Sequence, residues 1–451
     1  MTRRVFFVLM AVGLLAWLFS AYAPARADVT PPTRHSRPVC GIPAPRFAHC
    51  DAQVVTNDAG TPFGSSQPAS SSYGPTQLHT AYNLPCRPGG SVQSVCSTPA
   101  SFGGQTIAIV DAYDDPTVEN DLGVYDSYFG LPACTRANGC LTVVNQSGGS
   151  TLPSTVDGNW ALETSLDVQV AHALCQTCKI LLVEAGSSSM SDLGTAVNTA
   201  AGLGATEISN SYGGSEWSGE STYDSYYNHP GVAVVVSSGD TGNVVEYPAA
   251  SPYVLSVGGT TLRLGSGNSY GSESAWSGTG SGCSAYETAR TWQTQVSTWS
   301  QTGCGSHRAT ADVAADADPN TGAAIYDSTP YNSSTGWWQM GGTSLAAPII
   351  ASVYALAGGA STASNPQSIP YTYYKSTNSH DVTAGSNGTC GTIMCAAQAG
   401  YDGPTGLGSP NGTGGFGGTS SSPSPSPTAT STPTPIPTPT CAPGKKCTGK
   451  R

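Results

Sequence analysis

Asn159-Trp-Ala-Leu-Glu-Thr-Ser-Leu-Asp-Val-Gln-Val-Ala-His-Ala-Leu174 is followed, after a short Cys-bounded turn, by Lys179-Ile-Leu-Leu-Val-Glu-Ala185. In the first stretch Leu162, Leu166, Val170 and Leu174 recur every fourth residue, the apolar stripe of a helix. The second is a continuous apolar run of strand length. The alternation continues, with a helical pattern over 190–201 and short buried strands over 105–111, 206–211, 232–237 and 254–257. Strands alternating with helices imply a mostly parallel sheet with helices on both faces, a three-layer α/β domain. Such sheets place their sites at the carboxyl ends of the strands.

The rest of the 451 residues is organised around that domain. Residues 1–27 carry a basic start (Arg3, Arg4), an apolar run and Ala25-Arg26-Ala27, which read as a secretory signal peptide. Its apolar core is short for an uncut membrane anchor, and no later run reaches spanning length, so stable membrane insertion is not expected. Residues 28–72 are rich in turn formers and read as a short irregular extension. The main domain covers 73–417. A Ser/Thr/Pro-rich linker over 418–440 should be extended, and 441–451 is a short Cys-containing tail. With 17 basic against 28 acidic residues and a net charge of −11, nucleic acid is not an expected partner.

All 14 cysteines follow the signal segment, as in an oxidising compartment. They fall into local couples: Cys40/Cys50, Cys86/Cys96, Cys134/Cys140, Cys175/Cys178, Cys283/Cys304, Cys390/Cys395 and Cys441/Cys447. Seven local disulfides are the expectation, although spacing alone does not settle connectivity. Cys175-x-x-Cys178 could also be a redox or zinc motif, but no second close Cys/His pair completes it. Secretion follows, with the Pro-rich tail leaving wall association open.

Four segments could carry chemistry. Gly341-Gly-Thr-Ser344-Leu-Ala-Ala-Pro348 places a serine at the start of an apolar helix, beside free N–H groups and the positive end of the dipole; the same serine would also serve as an N-cap. Glu163 and Asp167 are four apart on one helix face next to the apolar stripe. There, mutual repulsion and partial desolvation would raise their pKa values and let them share a proton; the alternative is a solvated acidic face. Asp240, in Ser237-Ser-Gly-Asp240-Thr-Gly242, follows a core strand, either as a site residue or as a turn cap. Asp381 and Asp402 lie in Gly-rich loops that match the all-oxygen shell of calcium, or ordinary Asx-turns.

Together these segments resemble the sedolisins, the serine-carboxyl peptidases of subtilisin-like fold. The resemblance runs from Tyr73-Gly-Pro-Thr-Gln-Leu-His-Thr-Ala-Tyr82 through Glu163-x-x-x-Asp167, Ser238-Gly-Asp240 and Gly342-Thr-Ser344-x-x-x-Pro348 to Asp381 and Asp402. It implies a secreted acid-acting endopeptidase, a monomer acting on proteins or peptides. Ser344 would be the nucleophile, Glu163 its general base, Asp167 the partner of Glu163, and Asp240 the oxyanion-hole donor. A carboxyl donates a hydrogen bond only while protonated, so activity should be confined to acid. Ca2+ is implied at the side chains of Asp381 and Asp402 and the carbonyls of Val382, Gln398 and Gly400, with Gln398 standing where the family commonly has glycine. The family also implies a large prodomain, whereas here only 28–72 precede the domain.

Two rivals remain. A neutral subtilisin-type triad could use Asp111, His172 and Ser344, but His172 is nine residues from Glu163 and on the opposite side of the same helix. It also lacks the sequence context of a catalytic histidine in that family. The other is a non-catalytic secreted or wall-associated binding protein on the same scaffold.

Overall fold

The structure, a computed structural model, describes residues 35–62, 64–85 and 104–418. The expected signal peptide, the Cys86/Cys96 and Cys441/Cys447 couples, the tail and nearly all of the linker lie outside the described residues.

The central sheet contains β1 (Thr106–Ala112), β2 (Leu141–Asn145), β3 (Lys179–Ala185), β4 (Glu207–Asn210), β5 (Ala233–Ser237), β6 (Leu255–Leu264), β7 (Tyr270–Ala275) and β8 (Val313–Asp316). Its order is β7-β6-β5-β4-β1-β3-β2, with β8 also pairing to β6. Every pairing is parallel except β6 with β7. Ile107 to Ala112 are all buried, with no alternation along β1, so both faces of the sheet are covered. This is the mostly parallel, three-layer α/β arrangement expected from the alternation of strands and helices, and it agrees with the subtilisin-like fold that the resemblance implies. The strands match the apolar runs closely. The exception is the run over 254–257, which continues to Leu264 because its second half turns to pair with β7 and β8.

Four helices matter for the site: α1 (Val118–Phe129), α2 (Gly158–Leu174), α3 (Met190–Gly202) and α4 (Thr343–Leu356). Helix α2 starts at Asp157, whose carboxylate accepts the N–H groups of Asn159 and Trp160, offsetting unpaired donors in the first turn. It was expected to be amphipathic, yet every residue from Trp160 to Leu174 is buried. The reason is tertiary. Helix α2 lies against the sheet, α1, α4 and one strand of the hairpin formed by Ala323–Tyr331 and Ser334–Gly341, so none of its sides faces water.

The extension departs from the irregular reading. Ser36–Pro38, His49–Cys50 and Gln53–Val55 are strands. Ser36–Pro38 pairs with Gln53–Val55 inside the extension, whereas His49–Cys50 and Gln53–Val55 also take partners far along the chain, where local composition gives no sign of them. Five of the expected couples are disulfides: Cys40–Cys50, Cys134–Cys140, Cys175–Cys178, Cys283–Cys304 and Cys390–Cys395. Cys175-x-x-Cys178 is therefore a staple rather than a zinc motif.

Burial also sets the pH response of the fold. It pushes Asp111 and Asp115 up to about 7, Glu207 to about 8 and Asp327 to about 9. The folded chain keeps these protons, whereas the unfolded chain releases them above a carboxyl pKa of about 4. The stabilisation is therefore complete below about pH 4 and is lost as pH rises through the folded values. Thermal unfolding followed from pH 3 to 9 should show the highest Tm in acid and a steady fall from about pH 4 upward.

Candidate active site

Ser344 lies in the first turn of α4 and is fully buried. The turn before it depends on Gly342, whose φ is 93° and whose missing Cβ leaves room for neighbouring groups. Four residues on, Pro348 has no N–H to offer the Ser344 carbonyl. That carbonyl instead accepts the Ser211 hydroxyl at 3.4 Å.

Glu163 and Asp167 are fully buried on α2, beside Ser344. Burial, then the charge of Asp167 and that of Asp111, hold the Glu163 carboxyl well above its ordinary range. Burial and the charge of Asp111 do the same for Asp167. The pair thus retains a proton that two exposed carboxylates would lose. The Ser344 hydroxyl, close enough to Glu163 to oppose that rise, donates to the Ser211 carbonyl 3.2 Å away. Ser211 closes the circuit by donating its hydroxyl to Asp167 Oδ1 at 2.9 Å.

Asp240 follows β5 and faces the start of α4. Its Oδ1 accepts the Thr343 N–H at 2.8 Å and the Thr343 hydroxyl at 2.9 Å. Its Oδ2 is buried and unpaired. Burial pushes this carboxyl up to about 7, against the pull of Thr343 and Gln53. The four residues singled out from sequence thus come together, Asp240 on Thr343 at the start of α4 and the acid pair on α2 beside Ser344.

Asp381 and Asp402 also come together. Asp381 accepts the Gly400 N–H at 3.0 Å, and Asp402 accepts the Gln398 N–H at 2.8 Å, so both carboxyls grip one loop. Asp402 is fully buried, while Asp381 is exposed.

Comparisons with known proteins agree. The model of the subtilase family matches residues 149–397. The chain belongs to the subtilase family. Sedolisin of Pseudomonas sp. (strain 101) is 31% identical over 352 residues, 67% of this subtilase and 58% of the relative. Kumamolisin of Bacillus sp. (strain MN-32) is 30% identical over 387 residues, 77% of this subtilase and 64% of the relative. The subtilase therefore spans about three fifths of the curated relatives it matches. The solved structure of Pseudomonas sedolisin, a serine-carboxyl proteinase complexed with two molecules of pseudo-iodotyrostatin, aligns with a TM-score of 0.60 at 26% identity. That alignment covers 77% of this subtilase and 96% of that chain. The resemblance to sedolisins read from the sequence is borne out.

The histidine rival does not survive the geometry. His172 Nε2 meets the Pro132 carbonyl at 2.9 Å and Asp126 at 3.4 Å, and burial lowers its pKa to about 4. Asp111 is different. The subtilisin-type reading gave it a role with His172, but its buried charge bears on both Glu163 and Asp167. Its place at the end of β1 was the available sequence signal. Ser211 left none, because its hydroxyl finds Asp167 only through the fold.

A Cβ at Gly342 would stand 2.1 Å from the Asp51 carbonyl oxygen and 2.6 Å from Asp240 Oδ2, at a φ that L-residues disfavour. Gly342→Ala should destabilise the subtilase by about 2 kcal/mol or more in denaturant unfolding.

Proposed function

We propose that this chain is a secreted serine-carboxyl endopeptidase that works in acid. The observation that carries the reading is the placement of Ser344 against a buried acid pair, with His172 turned away to Pro132.

In the reaction, Glu163 removes the Ser344 proton as Oγ attacks the peptide carbonyl. Asp167 carries the one proton that the pair retains, which leaves Glu163 free to accept that of Ser344, and Ser211 holds Asp167 in place through its 2.9 Å bond. The developing oxyanion accepts hydrogen bonds from the Ser344 N–H and from protonated Asp240. Glu163 then protonates the departing amine, and a water molecule, deprotonated by the same carboxylate, hydrolyses the acyl-enzyme. An ionised Asp240 would repel the oxyanion. Because this carboxyl titrates at about 7, turnover should be lost as pH rises through neutrality. Substrates are unfolded proteins or peptides, since an extended backbone is what such a cleft holds.

Hydrolysis of a denatured protein should peak in acid across pH 3–8. Ser344→Ala and Glu163→Ala should each lower kcat by roughly 10³-fold or more. Peak activity at neutral pH that survives Glu163→Ala would overturn the mechanism. No hydrolysis at any pH would favour the non-catalytic scaffold. Asp240→Asn, which donates a hydrogen bond at every pH, should keep part of the activity and move its upper pH limit upward.

The residues at the Asp381/Asp402 loop suit calcium. Two carboxyls face one loop, one of them buried, and the donors are hard oxygens. Asp381 and Asp402 would hold the ion by their side chains, and Val382, Gln398 and Gly400 by their carbonyls. Bound calcium would supply neutralising charge and pin the loop. Chelation should then lower Tm by several degrees, and added Ca2+ should restore it; no shift would identify two ordinary turns.

A further inference from the structure

Three polar side chains converge on one face of a small three-stranded sheet. Tyr212–Ser215 is its middle strand, with His49–Cys50 along one edge and Glu246–Tyr247 along the other. His49 stands opposite Gly213, and Glu246 opposite Ser215. The ladder continues past Cys50, where the Asp51 N–H donates to the Ser211 carbonyl at 3.1 Å, so Asp51 keeps the strand period. Opposed residues share a face, and so do residues two apart on one strand. His49, Asp51 and Glu246 are therefore directed to the same side. Gly213 lets them meet, since a Cβ there would stand 2.3 Å from Glu246 Oε2. Gly239 makes room behind the carboxylate, where a Cβ would lie 2.9 Å from Glu246 Cδ. With both side chains missing, Glu246 reaches across the middle strand to His49.

Their mutual contacts leave acceptor capacity unused. His49 Nε2 lies 3.2 Å from Glu246 Oε2, and His49 Nδ1 lies 3.8 Å from Asp51 Oδ1. The second distance is too long for a hydrogen bond. Asp51 Oδ2 accepts the Ser237 hydroxyl at 2.6 Å, but Oδ1 is buried with no hydrogen-bond partner. An unmatched carboxylate oxygen on a residue only 1% exposed is costly. One nitrogen of His49 and one oxygen from each carboxyl lie within 4.8 Å of one another. Ligands bound to one tetrahedral ion stand about 3.4 Å apart, a spacing within reach of side-chain adjustment. His49 and Glu246 also border a cavity of about 260 Å³ shared with Gln53 and Thr241. It gives an ion a way in and leaves room for water in the remaining positions. Cys40 and Cys50 line the same cavity, but they are joined in a disulfide and offer no thiolate. The donors are thus one imidazole and two carboxylates, a set that suits Zn2+ and its first-row neighbours better than calcium.

We propose that His49, Asp51 and Glu246 form a binding site for a divalent first-row transition metal, with Zn2+ as the expected ion. The ion takes one nitrogen and two oxygens from the chain, and water completes a four-coordinate shell. It neutralises two carboxylates that face one another in a buried place, and it satisfies the free oxygen of Asp51. Residues of the extension and of the main domain then share one ion. The site is separate from the Asp381/Asp402 loop in both its residues and its donor chemistry.

The test uses the full chain carrying Ser344→Ala with excess Ca2+, so that neither proteolysis nor the Asp381/Asp402 loop affects the reading. Ligand nitrogens must be free of protons, so the assay is run at about pH 7.5. Co2+ is added first, and Zn2+ then competes with it. The expected result is one Co2+ per chain, with the visible absorption of a four-coordinate ion, which Zn2+ abolishes by displacement. Zn2+ alone should raise Tm increasingly with its concentration. X-ray absorption at the bound Zn2+ should show one imidazole with oxygen neighbours and no sulfur. His49→Ala should remove the Co2+ bands and lower Zn2+ affinity by about 100-fold or more. Glu246→Gln and Asp51→Asn, which keeps an acceptor for Ser237, should each weaken it by about tenfold or more. Each variant is compared once its metal-free circular dichroism matches that of the parent. No Co2+ bands and no Zn2+-dependent rise in Tm in the parent would overturn the site. Undiminished Zn2+ affinity in both His49→Ala and Glu246→Gln, or sulfur in the zinc shell, would overturn it equally. None of these outcomes depends on the peptidase reading, which is judged by hydrolysis.

Discussion

Helix α2 has no side that faces water, and the chemistry of the molecule depends on that constraint. An exposed helix would hydrate Glu163 and Asp167 as two ordinary carboxylates. Enclosed by the sheet, α1, α4 and the 323–341 hairpin, they cannot both ionise without placing two unscreened charges side by side. The proton they retain is a consequence of packing rather than of either residue alone. Asp111, at the end of β1, adds a third acid to the same enclosure and reinforces the effect.

The serine turn relies on two residues chosen for what they lack. Gly342 has no Cβ, and so the Asp51 carbonyl and the Asp240 carboxyl can approach the α4 N-terminus together. Pro348 has no N–H, and so the Ser344 carbonyl is left for Ser211. Ser211 then touches Ser344 and Asp167 at once, through its hydroxyl and its carbonyl. One residue after β4 thus ties together two helices that bring the serine and the acids from positions 181 residues apart in sequence (Glu163 and Ser344).

The N-terminal extension joins this arrangement through backbone ladders and through the side chains of Asp51 and His49, which meet Ser237 and Glu246. Its strands pair antiparallel with the strands on either side of the serine turn. The single disulfide Cys40–Cys50 holds the segment in a compact loop before it enters the cleft.

Much of the fold was legible in the sequence, because periodicity and turn chemistry are local. The runs over 105–111 and 179–185 became β1 and β3 almost residue for residue, and the four-residue spacing of Glu163 and Asp167 placed them on one face before any coordinates. The resemblance carried by Gly342-Thr-Ser344, Ser238-Gly-Asp240 and the acid pair likewise needed only order and spacing. Burial is different, since it belongs to neighbours distant in sequence. Whether α2 keeps a wet face, whether Asp111 joins the acids and which hydroxyl meets Asp167 were decided only when the 323–341 hairpin and α4 closed over the helix. The course of residues 48–54 was also decided there. An extended segment carries no partner in its own letters, and its ladders are set by edges that exist only once the sheet and the serine turn have formed.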